Sequence, residues 1–496
     1  MGHLDSDEFR AAGHALVDQI ADFYASLPQR PIAPNEKPSR VRALLPAGGL
    51  PATGQPVGEL LADVAPLLFD HSVHNGHPRF LAYITSSGSP VGALADLLAS
   101  ALNANLGRWD ISPVASEIEA QAVRWVAELL GYPTNCGGLL TSGGNMANFL
   151  AFIAARRAKA HWDLRRDGVV AGPALTAYVS AEAHTWVDKA ADVAGLGARA
   201  IRWVPTDGRE RMSPTALTAQ VAADRAAGHL PFLVVGTAGT TATGAVDPLP
   251  ELAAIARQHD LWLHVDGAYG APAAAVPEAP AELRAIALAD SVAVDPHKWL
   301  YAPLEAGCIL MRDPDALAAA FSFMPSYYKQ DKPADGETPG INYYMLGMQN
   351  SRGFRALKVW LGLRAMGRLG LVASIRNDIT LSQRLHAACS QHPELEGRTQ
   401  SLSINTFRYR PGDLPAGPES DAYLDELNRQ LLDDLQSGGE VFVSNAVIDG
   451  SYWLRACIVN FRTTPADVDA VPKLVVSNGR RLDDALRPAA LAGSRS

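Results

Sequence analysis

Apolar positions follow two alternating rhythms along the chain. Residues 7–26 place Phe9, Ala12, Leu16, Ile20 and Phe23 at helical spacing, which predicts an amphipathic helix. The proline-rich stretch from Pro28 to Pro56 has few ways to form its own core and reads as an extended wrap over another surface. Residues 116–131 predict a helix opened by a Ser116–Glu119 capping box and stopped by Gly131. Short runs rich in β-branched residues then alternate with helical segments. The runs are TAYVS (176–180), AIRWV (200–204), FLVVG (232–236), LWLHVD (261–266), SVAVD (291–295) and CILMR (308–312). The helical segments include 215–228 and 249–260. Near-continuous apolar strands alternating with helices predict an α/β fold whose mostly parallel sheet is covered on both faces, with ligands beyond the carboxyl ends of the strands.

Residues 352–385 predict a long helix with a Gly-marked bend. Beyond about 395 the pattern reads as polar loops, a helix at 421–438, two strand-like runs (EVFVSN and YWLRACIVNF) and a last helix after Thr464. The organisation expected is an N-terminal helical and extended arm (1–75), a large α/β domain (76–365) and a small C-terminal α+β domain (366–496). The final LAGSRS reads as a frayed tail.

Composition narrows the function classes. With 48% apolar and 19% charged residues among 496, the chain is globular rather than disordered. A net charge of −9 without a Lys/Arg run offers nucleic acid no footprint. Cys136, Cys308, Cys389 and Cys457 lie far apart without a CxxC, which reads as reduced thiols of a cytoplasmic protein. No apolar run approaches the roughly 20 residues of a spanning helix, and MGHLDSDEF lacks the apolar core of a signal peptide, so no membrane partner is expected. Met1-Gly2 with Ser6 matches a myristoylation pattern that is cheap to meet by chance.

Three strand ends carry candidate chemistry. Asp266 closes LHVDGAYG, His297 and Lys298 follow SVAVDPHKW, and VVGTAGTTATG runs from a strand into a Gly/Thr-rich loop. A lysine beyond a buried strand, in a water-poor cleft, can serve as an amine nucleophile or Schiff base, and a neighbouring aspartate supplies the opposite charge. In GGLLTSGGNMANFLAFIAAR, Ser142, Gly143 and Gly144 precede an apolar helix, the arrangement of an anion site, though not of GxGxxG or a P-loop. With His184 in SAEAHTWVDKA as a ring-stacking candidate, the set fits pyridoxal phosphate, which needs a lysine for its aldehyde and an acid for its pyridine nitrogen. His71, His74 and His77 suggest a metal site, but Gly76 and Pro78 argue against one helical face, and a simple turn is preferred. No metal is expected.

These segments together resemble the group II pyridoxal phosphate-dependent amino acid decarboxylases, close to the aromatic L-amino acid decarboxylases. The likeness runs through HPRFLAYI, TSGGNMAN, AHTWVDKA, GTAGTTATGAVDPL, LWLHVDGAYG, ADSVAVDPHKWL, RGFRALKVWLGLRAMG and the RTT of NFRTTPADVD. It implies the aminotransferase-like fold type I and a homodimer with active sites at the interface. It implies a small-molecule substrate: an L-amino acid, aromatic in preference, that loses CO2 to give an amine. It also implies that Lys298 is the Schiff-base lysine, that Asp266 pairs with the pyridine nitrogen, and that His184 stacks on the ring. Gly144, Asn145, Ser291 and His297 would surround the phosphate, and Thr241 and Ala268 would lie by the ring. Tyr343, or its neighbour Tyr344, would match the loop tyrosine that protonates Cα; His184 is the other candidate for that proton.

The chain departs from the family pattern at Asn145 (often Ser), Asp295 (Asn in animal enzymes), Trp186 (commonly smaller), Gly267 (Ala), and Ile84 and Thr85 (bulkier). The alternatives are an aromatic aldehyde synthase, in whose relatives the loop tyrosine is commonly Phe, and a decarboxylase of glutamate, aspartate or diaminobutyrate.

Overall fold

The computed structural model describes residues 4–323 and 339–491. Met1–Gly2, the start of the GETPGINYYMLG stretch and the tail after Leu491 lie outside the described residues.

The apolar runs become strands, most with side chains buried on both faces; the edge strand Ile201–Val204 is partly exposed. They are β1 (Gly137–Thr141), β2 (Leu175–Ser180), β3 (Ile201–Val204), β4 (Leu230–Thr237), β5 (Trp262–Asp266), β6 (Ser291–Val294) and β7 (Gly307–Met311). They form one sheet in the order β1-β7-β6-β5-β4-β2-β3. From β3 to β6 neighbouring strands are parallel, whereas β7 runs antiparallel to both β6 and β1. The sheet is therefore mostly parallel, as expected, with one reversed strand that the run CILMR did not betray.

β1 follows the direction of β6, so its end at Thr141 shares an edge with Asp266 and Val294. The helix Gly144–Lys159 leaves that edge and packs back over β7, β6, β4 and β5. Its buried face includes Ala147, Ala151, Ala154 and Ala155, small residues that bring the helix close to the sheet, with Phe152 filling the space between.

Two compact units are present. The larger holds Ile84–Ser382 and Thr399–Asn405; the other holds the described residues through Tyr83, with Gln383–Arg398 and those from Thr406 on. A second sheet has the order β10-β11-β9-β8, built from β8 (Leu395–Ser401), β9 (Ile404–Tyr409), β10 (Ser444–Ile448) and β11 (Ser451–Cys457). The polar stretch after 395, expected as loops, is thus half of a sheet. β8 is only partly buried along most of its length, so its sequence lacks the apolar signal of a core strand. Helices Pro418–Gly438 and Pro465–Leu486 pack on each other, and Thr464 and Asp467 form a capping box at the second.

Two other expectations change. Helix Pro113–Leu130 starts one turn earlier than the Ser116–Glu119 capping box implied, because Pro113 is preset for the first helical position. Glu119 turns inward instead; it accepts from the Leu140 N–H (2.9 Å) and pairs with the buried Arg352 (2.5 Å). The proline-rich stretch is interrupted by the helix Pro38–Leu44. The long helix Ala356–Gln391 is bent at Gly367, whose φ of 63° suits glycine. No helix among the described residues is long and apolar enough to cross a membrane.

Candidate active site

Parallel strands carry their chemistry to one edge. Thr237 of β4 stands opposite Asp266 of β5, and Asp266 opposite Ala293 of β6. Two residues after Ala293 the chain leaves the sheet at Asp295 and turns through His297 and Lys298. Asp247 anchors the neighbouring end of β4, accepting from the Thr237 and Met212 N–H groups at 2.7 Å each.

A cavity of about 310 Å³ opens at this edge, inside the larger unit. Gly144, Asn145, His184, Thr241, Asp266, Ala268, His297 and Lys298 all line it, so eight residues singled out from the sequence converge. Ser142, Gly143, Asn148, Trp186, Tyr269, Asp295 and Ile84 complete most of the wall. A larger groove of about 920 Å³ in the other unit is lined by residues such as Glu36, His71, Asp433 and Asp434 and contains no lysine.

The charges inside the cavity are paired. Lys298 Nζ lies 3.0 Å from Asp295 Oδ2, and the Asp295 side chain is 3% exposed. His297 Nε2 lies 3.8 Å from the same oxygen. Its Nδ1 is 2.6 Å from the Ala306 carbonyl, and burial lowers its pKa. Asp266 accepts from the Ala268 N–H at Oδ1 (3.2 Å) and from the Trp186 indole N–H at Oδ2 (2.8 Å). His184 Nδ1 accepts from the Trp186 N–H (3.2 Å); the residue is exposed, yet partial desolvation lowers its pKa. Behind Asp266, the buried His264 spans Ser291 Oγ (2.8 Å) and Asn148 Oδ1 (2.7 Å), and burial brings its pKa down to about 4.

The helix Gly144–Lys159 begins without a side-chain cap, which leaves its first N–H groups as donors toward the cavity. A Cβ on Gly144 would come within 2.7 Å of Asp295 Oδ2 and 3.1 Å of Ala268 Cβ. Glycine is what keeps this corner open.

Two expected site residues lie elsewhere. Ser291 begins β6 at the far edge of the sheet, about 13 Å back along the chain from Asp295 at roughly 3.3 Å per residue. Its hydroxyl serves the Trp262 indole N–H (2.8 Å) and His264 rather than an anion. Tyr343, expected on a loop beside the ring, is fully buried in the core and does not line the cavity. Its ring packs under the Arg352 guanidinium at 4.7 Å, and its hydroxyl donates to the Ser116 carbonyl at 3.4 Å. A phenol ring is mostly apolar surface, and the intervening turn of residues Tyr343–Met345 directs it inward.

Two residues whose chemistry the sequence reading left unassigned emerge here. Asp295 and Trp186 showed only as departures from a pattern; the bonds they make appear once β2, β5 and β6 are aligned. The three imidazoles of HSVHNGHP go to separate partners: His71 to Glu36 (2.9 Å), His74 to an edge contact on Phe23, and His77 to the Arg79 N–H (3.0 Å). Among the described residues no cluster of three metal-ligating side chains occurs.

Comparison with known proteins adds independent findings. Residues 38–406 match the family model described as the pyridoxal-dependent decarboxylase conserved domain. The chain is 35% identical to an aromatic-L-amino-acid decarboxylase of Bacillus atrophaeus over 467 residues, covering 94% of each. It is 31% identical to a 4-hydroxyphenylacetaldehyde synthase of Rhodiola rosea, covering 95% of each. The crystal structure of Oryza sativa TDC with PLP and tryptamine superposes with a TM-score of 0.89 at 30% identity, covering 97% of this chain and 99% of that one.

Proposed function

The chain belongs to the pyridoxal-dependent decarboxylase family, and from that premise we propose that it removes the α-carboxylate of an aromatic L-amino acid as CO2 and releases the amine. The observation that carries this is the convergence of Lys298, Asp266 and the uncapped start of helix Gly144–Lys159 on one cavity. Its residues fit pyridoxal phosphate: an amine, an acid at a strand end, and an anion corner that a Cβ would fill.

When bound, the cofactor supplies an aldehyde for the amino group and a cationic ring that accepts the electron pair left by CO2. Lys298 would be the amine that holds the aldehyde. Asp266 would hold a proton at the ring nitrogen. The N–H groups at Gly144 and Asn145, with His297, would hold the phosphate. His184, Ala268 and Thr241 would line the place of the ring.

Of the residues expected to return a proton to Cα, Tyr343 or Tyr344 and His184, only His184 lines the cavity. The apolar wall of Ile84, Trp186 and Tyr269 suits a flat side chain, and among the described residues no arginine lines the cavity to pair with an acidic one. A homodimer in the cytoplasm completes the reading. Leu94, Leu97, Leu98 and Leu102 of helix Pro90–Leu102 are each more than half exposed, an apolar face that calls for a partner, and all four cysteines are free thiols.

The likeness to an aldehyde synthase at 31% identity favours one second reading, decarboxylation coupled to oxidative deamination, in which dissolved O2 would take up two electrons and leave as H2O2. One assay separates them: the reconstituted enzyme is offered L-Trp, L-Tyr, L-Phe and L-dopa beside L-Glu, L-Asp and L-2,4-diaminobutyrate, and products are identified by mass spectrometry. An aromatic amine is expected, and a Lys298→Ala control should yield none. Aldehyde with ammonia would select the second reading, and an amine from an acidic or basic substrate would overturn the aromatic one. In the same assay, aldehyde from Tyr343→Phe would assign the Cα proton to the tyrosine; unchanged amine would assign it to His184.

A further inference from the structure

Trp186 occupies a place that its position in the core does not by itself explain. It is the first residue of helix Trp186–Val193 and is 3% exposed. Its ring meets the edges of Phe152 (6.4 Å, 85°) and His264 (6.0 Å, 87°), which fixes its plane. In that plane the indole N–H points at Asp266 Oδ2, 2.8 Å away. The other carboxylate oxygen accepts, among the described residues, only the longer bond from the Ala268 N–H (3.2 Å). Asp266 is itself 8% exposed, so water does little to replace a lost donor.

We propose that Trp186 is a positioning residue for the decarboxylation, acting through Asp266: its indole N–H fixes the carboxylate as the anionic partner of the cofactor's ring nitrogen. This rests on the reading of Asp266 given above. An indole is suited to the task because its N–H is a donor that never ionises and never accepts, so the polarity of the bond cannot invert. Loss of a charge-assisted hydrogen bond of this kind reads as roughly a ten- to hundredfold effect.

Two variants separate the donor from the packing. Trp186→Phe keeps an aromatic ring and removes the N–H. Trp186→His removes the benzene half of the indole but retains an N–H, because Nε2 of imidazole occupies the same ring position as Nε1 of indole. The holoenzymes are compared for kcat, its pH profile and cofactor affinity. Asp266 is faced by His264 on its own strand, by His184 before the Trp186 helix, and by Lys298 with its partners Asp295 and His297, so the profile is read as a difference from the parent.

The expected result is that Trp186→Phe loses ten- to hundredfold in kcat. Its activity should also fail at a higher pH on the acid side, because a carboxylate that has lost a donor is protonated more readily. Trp186→His should retain the larger share of turnover near neutral pH. Parental kcat and profile in Trp186→Phe, or a histidine variant poorer than the phenylalanine one with the acid side unmoved, would overturn the proposal and leave Trp186 a packing residue.

If both variants fail to fold, the parent still decides. The 15N-indole resonance of Trp186 should shift in Asp266→Asn holoenzyme, and an unmoved resonance is the overturning result. Asp266→Asn also isolates the underlying reading: full turnover there would refute the role of Asp266. Lost turnover there, with an indifferent Trp186→Phe, would refute only the role of Trp186.

Discussion

At the scale of single residues, the site is a balance of charges in a place with little water. Lys298 has an acid beside it, Asp295, three positions back in sequence and 3.0 Å away in space. That contact sets amine against carboxylate at the cavity wall. It also places a carboxylate next to the anion corner at Gly144, where Asp295 Oδ1 has no hydrogen-bond partner among the described residues. A phosphate bound there meets a like charge. Asp295→Asn should therefore tighten cofactor binding by about tenfold, since even a well-screened like-charge contact costs on the order of a kcal/mol or more. Equilibrium dialysis of parent and variant checks it; weaker binding would mean that the hold on Lys298 outweighs the repulsion. The sequence displayed Asp295 as an oddity in DPHKW, but whether it faced the cavity depended on the turn that follows β6.

At the scale of elements, the anion corner depends on how closely β7 approaches the loop after β1. Gly307 pairs with Thr141 across the antiparallel β1/β7 ladder. A Cβ on Gly307 would come 2.5 Å from the Gly143 carbonyl carbon, 2.6 Å from its Cα and 2.5 Å from Thr141 Oγ1. Gly143 holds a φ of +145°, so it has little freedom to retreat in a form other residues could share. Gly307→Ala should displace the Gly143–Gly144 backbone and lower cofactor affinity about ten- to hundredfold, with a loss of about 1–3 kcal/mol in the stability of the unliganded protein. Cofactor titration beside a denaturant melt measures both, and unchanged affinity would show that the corner does not hold the phosphate. Helix periodicity and the glycines of TSGGN made the helix start legible in the sequence. The partner strand that crowds it was not, because β7 reads like any other apolar run and its reversed direction leaves no mark on composition.

At the scale of the whole molecule, a buried acid tunes stability against pH. Asp378, on the long helix Ala356–Gln391, accepts from the Trp299 indole (2.9 Å) and the Tyr301 hydroxyl (2.7 Å), and burial pushes its pKa up to about 7. The folded protein therefore binds a proton that the unfolded chain has released between about pH 4 and 7, so this group's contribution to stability falls as pH rises through that window. His264, brought down to about 4, works in the opposite sense below its ordinary value, so the difference between two proteins is the informative quantity. Asp378→Asn keeps both acceptor contacts without the charge. Its thermal midpoint should gain on the parent's steadily from pH 4 to pH 7, and a constant offset in differential scanning fluorimetry would refute the assignment. By itself the sequence determined the α/β class, most strand positions, and the placement of Lys298, Asp266 and the glycine helix start at strand ends, because each is written in local periodicity or in a short motif at a strand end. It fell short where partners lie far apart along the chain. The order of strands, the burial of Tyr343, the distance of Ser291 from the site, and the Trp186–Asp266 bond between residues 80 positions apart were decided only by tertiary packing, since register and side-chain direction follow from which strands and helices meet, and that is a property of the assembled core rather than of any segment.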